Sequence, residues 1–256
     1  MQAVTKAMIL AAGLGTRLRP LTNDRPKALV TINGRTLLEI VIARLRAAGV
    51  RKIIVNTHHF ADRIRDYLAD NRNFGMRIEL SYEDTLLDTG GGLKKAAWFF
   101  LEGKDPGDAA LAPFILHNVD VISTIDLARM ALFHRQRGAL ATLAEQSRES
   151  SRYLLFDEHG HLCGRRIGRD TAPQLVRPAL SAQALAFCGV HVISPQIFAK
   201  LSETGAFSII DAYLRLAAQG ERILSFRADG AYWRDLGRPR SVAEAAREPI
   251  AEHDES

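Results

Sequence analysis

The chain has little cysteine and no long hydrophobic run. Its 256 residues include two cysteines, Cys163 and Cys188, which are too few for a disulfide-stapled secreted scaffold. No apolar stretch reaches the roughly 20 residues that a membrane-spanning helix requires, and residues 1–6 lack a signal-peptide pattern. We therefore expect a cytoplasmic protein with two free thiols and no membrane partner.

The charge of the chain is not concentrated in one sign or one segment. Lys and Arg number 34 and Asp and Glu number 29, so the net charge is +5. The basic residues are scattered and do not form a stripe interleaved with aromatic residues, which argues against nucleic acid as a partner. A modest positive charge favours a small anionic substrate. With 47% hydrophobic residues and no repeats or low-complexity linkers, we expect a single domain over residues 1–256.

Short apolar runs alternate with helical patterns in the first part of the chain. Runs of strand type occur at residues 8–10, 53–55, 78–82 and 114–116, and amphipathic helical stripes lie between them at residues 37–48, 61–68 and 125–132. This alternation predicts an α/β fold with a doubly wound, mostly parallel sheet.

The pattern becomes β-rich after residue 145. We predict a hairpin from residues 153–156 and 161–163, strands at 185–193, 223–228 and 232–236, and helices at 208–219 and 242–247. Residues 165–184 are polar and contain two prolines, which indicates an irregular flap. These elements predict a small β-rich extension of the sheet, followed by a frayed acidic tail at residues 249–256.

A glycine-rich, basic loop follows the first predicted strand. Gly13 and Gly15 allow backbone N–H groups to approach an anion closely, and Arg17 and Lys27 supply positive charge. A dinucleotide-binding fingerprint would need a third glycine at Leu18, and a Walker A loop would end in Gly-Lys-Ser/Thr. A plain surface turn is the other alternative, but it leaves the cations and prolines of this segment unexplained. The pattern predicts a phosphate-binding loop.

Two aspartates are candidate metal ligands. Asp120 follows the strand predicted at 114–116, and Asp235 follows Tyr232 and Trp233. An isolated aspartate at the end of a strand is most often a turn or cap residue. Phosphate chemistry, however, commonly uses Mg²⁺ held by one or two carboxylates together with water and phosphate oxygens.

The order Leu-Ala-Ala-Gly-x-Gly-Thr-Arg-Leu-Arg-Pro-Leu-Thr, starting at Leu10 and followed by Pro26 and Lys27, resembles the signature of the sugar-1-phosphate nucleotidyltransferases. The likeness extends over nearly the whole chain, through residues 88–92, 118–121, 187–189 and 233–237. It implies a fold of the nucleotide-diphospho-sugar transferase type, with residues 6–145 as the nucleotide-binding half and residues 146–248 as the sugar-binding half. It also implies a nucleoside triphosphate and a sugar 1-phosphate as substrates.

The resemblance implies a role for each matching residue. Arg17 and Lys27 are expected to be catalytic, and Asp120 and Asp235, which match the aspartates of two family motifs, are expected to hold Mg²⁺. Gly189 and Arg234 are expected on the sugar side. The residues expected to bind the nucleotide are Ala11, Ala12, Gly13, Leu14, Gly15, Thr16, Thr89, Gly90, Gly91 and Asn118.

Two details of these motifs lead to further expectations. Consecutive glycines from Gly90 to Gly92 would leave backbone groups bare in a loop ahead of a helix starting near Leu93, so the loop could bind a flat base; a flexible loop without a ligand is the alternative. Val119 stands where the family commonly has glycine; its branched side chain adds bulk near the expected ribose site, and the fit of the ribose or sugar there is open. His117 is open as a phosphate contact or as a structural histidine.

Among subfamilies, the chain is most similar to the short uridylyltransferases that act on N-acetylmuramic acid 1-phosphate. This resemblance implies UTP as the nucleotide. Arg165, Arg166 and Arg169 of the flap would then supply a cation for the lactyl carboxylate, unless they form a solvated surface. The alternatives are a mannose- or glucose-1-phosphate nucleotidyltransferase using GTP or TTP, and a non-catalytic sugar-nucleotide sensor. The sequence leaves the oligomeric state open.

Overall fold

The computed structural model describes residues 4–102, 104, 111–168 and 171–247, which form fourteen strands and eight α-helices. The strands are β1 Lys6–Leu10, β2 Thr31–Ile32, β3 Arg35–Thr36, β4 Lys52–Thr57, β5 Arg77–Tyr82, β6 Phe114–Asn118, β7 Val121–Ser123, β8 Ala141–Gln146, β9 Arg152–Phe156, β10 Leu162–Ile167, β11 Gln174–Leu175, β12 Gln183–Ile193, β13 Ile223–Arg227 and β14 Trp233–Asp235. The helices are α1 Leu37–Ala47, α2 Ala61–Asp70, α3 Asp88–Lys95, α4 Ala97–Leu101, α5 Leu127–Gln136, α6 Ile197–Lys200, α7 Ile209–Ala218 and α8 Pro239–Ala245.

One mixed sheet organises the molecule. Its strands follow the order β11-β10-β9-β12-β6-β1-β4-β5. In addition, β8 pairs with β12, and β13 pairs with β8. The strands β1, β4, β5 and β6 run parallel, whereas β12 is antiparallel to β6. The four strands predicted in the first part of the chain are therefore confirmed, and they form its parallel section.

Helices cover both faces of the sheet, as the doubly wound prediction requires. One apolar core joins the sheet to α1, α2, α5 and α8, and a second core on the other face joins it to α3, α4, α6 and α7. Successive residues of a strand point to opposite faces, so Met8 packs into the second core while Ile9 packs into the first.

Helices α1, α5 and α7 begin at side-chain caps that the sequence supplies. Thr36 accepts a hydrogen bond from the backbone N–H of Glu39 at 3.0 Å and starts α1. Asp126 starts α5 and Ser208 starts α7 in the same way. In α1, the apolar stripe between the cap and Gly49 is buried.

The parallel pairing of β1 and β6 brings two important segments to one edge of the sheet. Leu10, at the end of β1, is in register with Asn118, at the end of β6. Because both strands end there, the loop after Leu10 and the residues after Asn118 meet at the edge where ligands bind in open α/β sheets. The small antiparallel pair of β7 and β14 extends from this edge.

The β-rich part differs in places from the prediction. The hairpin of β9 and β10 is confirmed, but the flap expected at 165–184 is wrong in part, because β10 continues to Ile167, β11 pairs with it and β12 begins at Gln183. Backbone pairing orders residues 165–167, 174–175 and 183–184 of this segment, and hydropathy cannot reveal such pairing. Strand β8 was not expected, and the boundary drawn between residues 145 and 146 falls within it. The last helix begins at Pro239.

Three further observations concern the expectations drawn from composition. Both cysteines are buried and unpaired. None of the helices within the described ranges combines the length and the apolar character needed to cross a membrane. Arg169 and the tail at residues 249–256 lie outside the described residues.

Candidate active site

The predicted phosphate loop follows the end of β1, and the backbone N–H groups at its tip are free. Gly15 adopts a left-handed conformation with φ of 64°, and its carbonyl accepts hydrogen bonds from Leu18 N and Thr22 Oγ1, both at 2.9 Å. Among the described residues, the N–H groups of Gly13, Leu14 and Gly15 find no protein acceptor. Gly13 and Leu14 are also exposed. The loop therefore presents consecutive donors that an anion can accept.

The two ends of this loop are held differently. Ala11 and Ala12 are buried at its start, and Ala11 N donates to Asn56 Oδ1 at 2.7 Å. Thr16 is exposed at its far end and begins a short 3-10 helix, Thr16–Leu18. The buried start anchors the loop to the sheet, and this anchor fixes the position of the exposed tip relative to the sheet.

Lys27 lies directly beneath the loop. A Cβ added at Gly15 would come within 3.3 Å of Lys27 Cβ and 3.1 Å of Thr22 Cγ2, so the glycine allows the loop to close over the lysine. The ammonium of Lys27 forms an ion pair with Asp120, and the two side chains are only 12% and 15% exposed. The pair places a positive charge between the loop and the end of β6.

The structure brings the two predicted metal ligands together. Strand β14 pairs with β7 so that Asp235 lies opposite Val121, and Leu236 N donates to the backbone carbonyl of Asp120 at 2.8 Å. Asp235 Oδ1 accepts a hydrogen bond from Gly237 N at 2.6 Å. Residues far apart in the chain thus become neighbours on adjoining backbone segments.

Arg17 completes the group of charges around the loop. A Cβ added at Gly237 would lie 3.0 Å from Arg17 Nη2 and 2.6 Å from Asp235 Oδ1, so the guanidinium and this carboxylate flank the same glycine. Arg17 is exposed and has no acceptor in the described part of the chain. Its charge is available to a ligand.

The donor set suits a hard divalent cation that shares its coordination with phosphate. Lys27 contacts Oδ2 of Asp120, and Gly237 N–H contacts Oδ1 of Asp235, so each carboxylate keeps one oxygen for other contacts. Over the described ranges, no three His, Cys, Asp or Glu side chains group into a larger metal cluster. Two carboxylates with water and substrate oxygens are a usual Mg²⁺ site, whereas Zn²⁺ commonly takes three or four protein ligands.

Val119 turns its bulk toward the interior of the molecule. Its side chain is buried in the apolar core, its N–H donates to the carbonyl of Leu10 at 3.1 Å, and its φ is not positive. The position therefore needs no glycine. His117 is structural: it is fully buried and its Nδ1 donates to the carbonyl of Asn118 at 2.8 Å. Burial lowers the pKa of His117 to about 4, so it is neutral near pH 7.

Gly189 lies beside Asn118, across the edge of the sheet. It interrupts the register of β12 with a φ of +73°, and a Cβ there would come within 2.9 Å of both Asn118 Nδ2 and Val121 Cγ2. No other residue type would allow the Asn118 amide to pack here without displacement. The structure thus joins Gly189 to the segment that carries Asp120.

The sequence did not reveal Arg148 as a neighbour of this region. Its guanidinium lies 3.5 Å from the centre of the Trp233 ring, and its Nη2 donates to the carbonyl of Phe187 at 2.8 Å. Trp233 Nε1 in turn donates to the carbonyl of Cys188 at 2.8 Å. Arg148 lies in a loop without any motif, so no sequence signal could have identified it.

Arg234 is turned away from the carboxylates. It alternates with Asp235 along β14, so the two side chains point to opposite faces. Its Nη1 donates to Glu244 Oε2 of α8 at 2.8 Å and its Nε donates to Tyr232 at 3.1 Å. The structure does not bring Arg234 together with the other predicted site residues.

The glycine cluster is helical, and the expectation of an open loop is wrong. Helix α3 begins at Asp88, five residues earlier than predicted. The N–H groups of Gly90 and Gly91 donate to the carbonyl of Phe207 at 2.9 and 3.3 Å. A Cβ at Gly90 would lie 2.3 Å from Phe207 Cε2, and one at Gly91 would lie 2.5 Å from the carbonyl oxygen of Gly205. These glycines permit close packing against the segment before α7.

Thr89 belongs to the same contact. Its Oγ1 accepts a hydrogen bond from Ile209 N at 3.0 Å, so it caps the start of α7. Asp88, just before it, is in the left-handed region with φ of 57°. Such strain in a residue other than glycine is sustained by surrounding contacts and is common near functional sites.

The flap arginines have separate environments. Arg165 Nη1 donates to Asp211 Oδ1 at 2.5 Å and its Nε to Gln174 Oε1 at 2.9 Å, so this side chain is already paired. Arg166 lies 4.9 Å from the centre of the Tyr153 ring, and its buried Nε has no acceptor. Of the two flap arginines that the structure describes, Arg165 is engaged by Asp211 and Gln174, whereas no acceptor contacts the Arg166 guanidinium within the described ranges.

Comparison with known proteins identifies the family. The family model for nucleotidyl transferases matches residues 6–252. The chain belongs to the nucleotidyl transferase family. N-acetylmuramate alpha-1-phosphate uridylyltransferase of Caulobacter vibrioides is 36% identical over 251 residues, which cover 94% of this chain and 95% of that protein. A mannose-1-phosphate guanyltransferase of Neurospora crassa is 30% identical, over 92% of this chain and 61% of its own length.

A solved structure supports the fold of this nucleotidyl transferase. A putative glucose-1-phosphate thymidylyltransferase from Bacillus anthracis superimposes with a TM-score of 0.78 at 16% identity, covering 99% of this chain and 98% of the other. The fold is the nucleotide-diphospho-sugar transferase type, and the chain is a sugar-1-phosphate nucleotidyltransferase.

Proposed function

We propose that this nucleotidyltransferase transfers the uridylyl group of UTP to N-acetylmuramic acid 1-phosphate, releasing pyrophosphate. The substrate pair is supported by the 36% identity, over nearly the full length of both chains, to an N-acetylmuramate alpha-1-phosphate uridylyltransferase. The observation that carries the chemistry is the convergence of the free loop amides, Arg17 and the Lys27–Asp120 ion pair beside Asp235. The product implies a role in cell-wall precursor metabolism in the cytoplasm.

The reaction needs no protein nucleophile. An oxygen of the sugar 1-phosphate attacks the α-phosphorus of UTP, the bond from that phosphorus to the bridging oxygen of pyrophosphate breaks, and pyrophosphate carries the electron pair away. Because the attacking phosphate is already anionic, catalysis consists of positioning and charge neutralisation.

Different residues of the site would bind different phosphate groups. The loop from Ala11 to Thr16 and the guanidinium of Arg17 bind the β- and γ-phosphates. Lys27, held beneath the loop, draws the α-phosphate and the sugar phosphate together. Asp120 and Asp235 would hold Mg²⁺, which when bound neutralises phosphate charge.

The organic parts of the substrates would occupy the two halves of the molecule. We assign the nucleotide to the half at residues 6–145, with the start of α3 at Thr89 beside the base and Asn118 as a further contact. Gly90 and Gly91 would support this contact through packing, because their N–H groups already donate to Phe207. The sugar lies against the half at residues 146–248, next to Gly189. Arg234 is the weaker sugar contact because it is paired with Glu244.

One alternative has a specific observation in its favour. The 30% identity to a mannose-1-phosphate guanyltransferase over most of this chain supports a hexose 1-phosphate with GTP. A non-catalytic sensor is disfavoured because Arg17, Lys27, Asp120 and Asp235 are all present. The observation that favoured a sensor was the valine at position 119, where the family commonly has glycine. It carries no weight, because the Val119 side chain lies in the core.

A pyrophosphate-release assay tests the substrates directly. Purified protein is offered UTP, GTP, TTP or ATP with the 1-phosphates of N-acetylmuramic acid, N-acetylglucosamine, mannose and glucose, in Mg²⁺ and in EDTA. We expect the highest kcat/KM for UTP with N-acetylmuramic acid 1-phosphate, in Mg²⁺ only. Preference for GTP with mannose 1-phosphate would overturn the substrate assignment and leave the reaction type intact.

Recognition of the acidic sugar has its own test. Arg166→Gln should raise the KM for N-acetylmuramic acid 1-phosphate more than the KM for N-acetylglucosamine 1-phosphate, since only the former carries a lactyl carboxylate. Arg152→Gln, on the exposed start of β9, is the matched control. Equal effects of Arg166→Gln on both sugars would remove Arg166 from sugar recognition.

A further inference from the structure

A buried polar pair lies between the phosphate loop and helix α3. Asn56 is in β4 and Glu83 directly follows β5, and they are 3% and 1% exposed. A buried carboxylate and a buried amide are costly unless each polar atom finds a partner. Neither residue belongs to the motifs that carry the chemistry.

Hydrogen bonds through this pair connect two segments of the site. Ala11 N donates to Asn56 Oδ1 at 2.7 Å, Asn56 Nδ2 donates to Glu83 Oε1 at 2.7 Å, and Leu87 N donates to Glu83 Oε2 at 3.0 Å. The first donor begins the phosphate loop and the last immediately precedes α3. Each contact pairs one donor with one acceptor, so neither the Asn56 amide nor the Glu83 carboxylate can change its role alone without breaking a hydrogen bond.

The packing around Glu83 holds the pair in place. A Cβ at Gly92 would lie 2.6 Å from Glu83 Oε1 and 2.8 Å from Asn56 Nδ2, so the third glycine of the cluster makes room for this hydrogen bond. The backbone of Glu83 is also bonded on both sides, to the carbonyl of Thr57 at 2.8 Å and to His58 Nδ1 at 2.7 Å. Both carboxylate oxygens already have protein donors.

We propose that Asn56 and Glu83 are positioning residues that set the distance between the phosphate loop and helix α3. The inference rests on the proposed function, in which the triphosphate lies on the loop and the base lies beside α3. A nucleoside triphosphate must reach both segments at once, so its binding depends on the separation between them. The pair acts through the backbone of Ala11 and Leu87 and does not itself contact the substrate.

Exchanging the polarity of the pair gives a sharp test. Glu83→Gln turns an NH₂ group toward either Asn56 Nδ2 or Leu87 N, both of which are donors. Asn56→Asp turns a second carboxylate oxygen toward Glu83. Two donors or two acceptors that face each other in a buried site must move apart. The phosphate loop and α3 would then change their separation, so each single variant should raise the KM for UTP about tenfold.

The double variant Asn56→Asp with Glu83→Gln restores a complete set of bonds. The introduced carboxylate would accept from Ala11 N and from the introduced amide NH₂, and the oxygen of that amide would accept from Leu87 N, with the same net charge as wild type. We expect the KM for UTP, and the KM for pyrophosphate in the reverse reaction, to return to within about threefold of wild type. The KM for the sugar 1-phosphate should stay nearly constant in every variant that folds.

The outcomes separate this inference from the proposed function. If wild type does not use UTP, the proposed substrate fails, and the series is repeated with the nucleotide that wild type prefers. If wild type is active but the double variant is as impaired as the worse single variant, the positioning role is overturned. It is equally overturned if the KM for the sugar 1-phosphate rises as much as that for the nucleotide. If the single variants do not fold, the double variant alone decides whether the pair has a positioning role, through its KM for UTP and its KM for the sugar 1-phosphate.

Discussion

Lys27 and Asp120 form an ion pair although 93 residues separate them in the chain. The contact joins the segment after the phosphate loop to the end of β6, and both side chains are largely withdrawn from solvent. Ion pairs that are partly buried interact more strongly than exposed pairs, which contribute little. The site thus keeps its main cation beside Asp120, one of the two proposed metal ligands, next to the free amides of the loop.

Lys27→Ala should lower kcat by about 10²–10³, because it removes positive charge that stabilises the transition state. The melting temperature should fall slightly, since Asp120 loses its partner. Steady-state kinetics with pyrophosphate release measure the effect, and Lys52→Ala, whose ammonium lies 3.4 Å from Glu102, is the control. A Lys27→Ala enzyme turning over at the wild-type rate would exclude Lys27 from the site.

Asp120→Asn and Asp235→Asn should each abolish turnover in Mg²⁺. Both changes keep the side-chain volume and remove the negative charge that binds the cation. Asp62→Asn, at an exposed pair with Arg65 on α2, serves as the control and should retain full activity. Full activity of either site variant, or of wild type in EDTA, would contradict the metal assignment.

Gly189→Ala should reduce both activity and stability. The new Cβ would meet the Asn118 amide and Val121 at 2.9 Å, and the φ of +73° disfavours a side chain. We expect a loss of about 1–3 kcal/mol in the free energy of unfolding, measured by urea denaturation. Gly230→Ala is the matched control, because its Cβ would enter open space at ordinary φ. Equal stabilities of the two variants would be incompatible with close packing at Gly189.

The free energy of unfolding should fall as the pH drops from about 6.5 toward 4. Burial lowers the pKa of His134 from 6.5 to about 4, so in this range the unfolded chain takes up a proton that the folded protein refuses. The stability from this residue is therefore complete above pH 6.5 and is lost with acidification, at about 1.4 kcal/mol per pH unit.

His134→Gln tests this pH dependence. The imidazole bonds to Thr142 Oγ1 and Ser194 Oγ, each at 2.9 Å, away from the charged site. Urea titrations of both proteins at pH 7.5 and 5.0 should show a smaller decrease for the variant. His117 and His191 are buried as well, so part of the decrease remains. An unchanged difference between the two pH values would show that His134 titrates normally.

Local sequence patterns were enough to predict the parallel section of the fold and the chemical class. Strands β1, β4, β5 and β6 follow from short apolar runs between amphipathic stripes, since local periodicity records which face is buried. The phosphate loop is equally local, because its glycines and cations lie within one segment of the chain. The resemblance in these residues sufficed to identify the family, which the family match at residues 6–252 supports.

The role of the glycine cluster and the assembly of the site depend instead on tertiary contacts. Residues 88–92 indicated a loop, but they form a helix. Glycine is required there because Phe207 and the carboxylate of Glu83 fill the space that side chains would occupy. Strand β8 and the pairing in residues 165–184 depend on partners distant in the chain. The same is true of the Asn56–Glu83 pair and of the ion pair between Lys27 and Asp120. Such contacts arise from sheet order and register, which local sequence patterns do not encode.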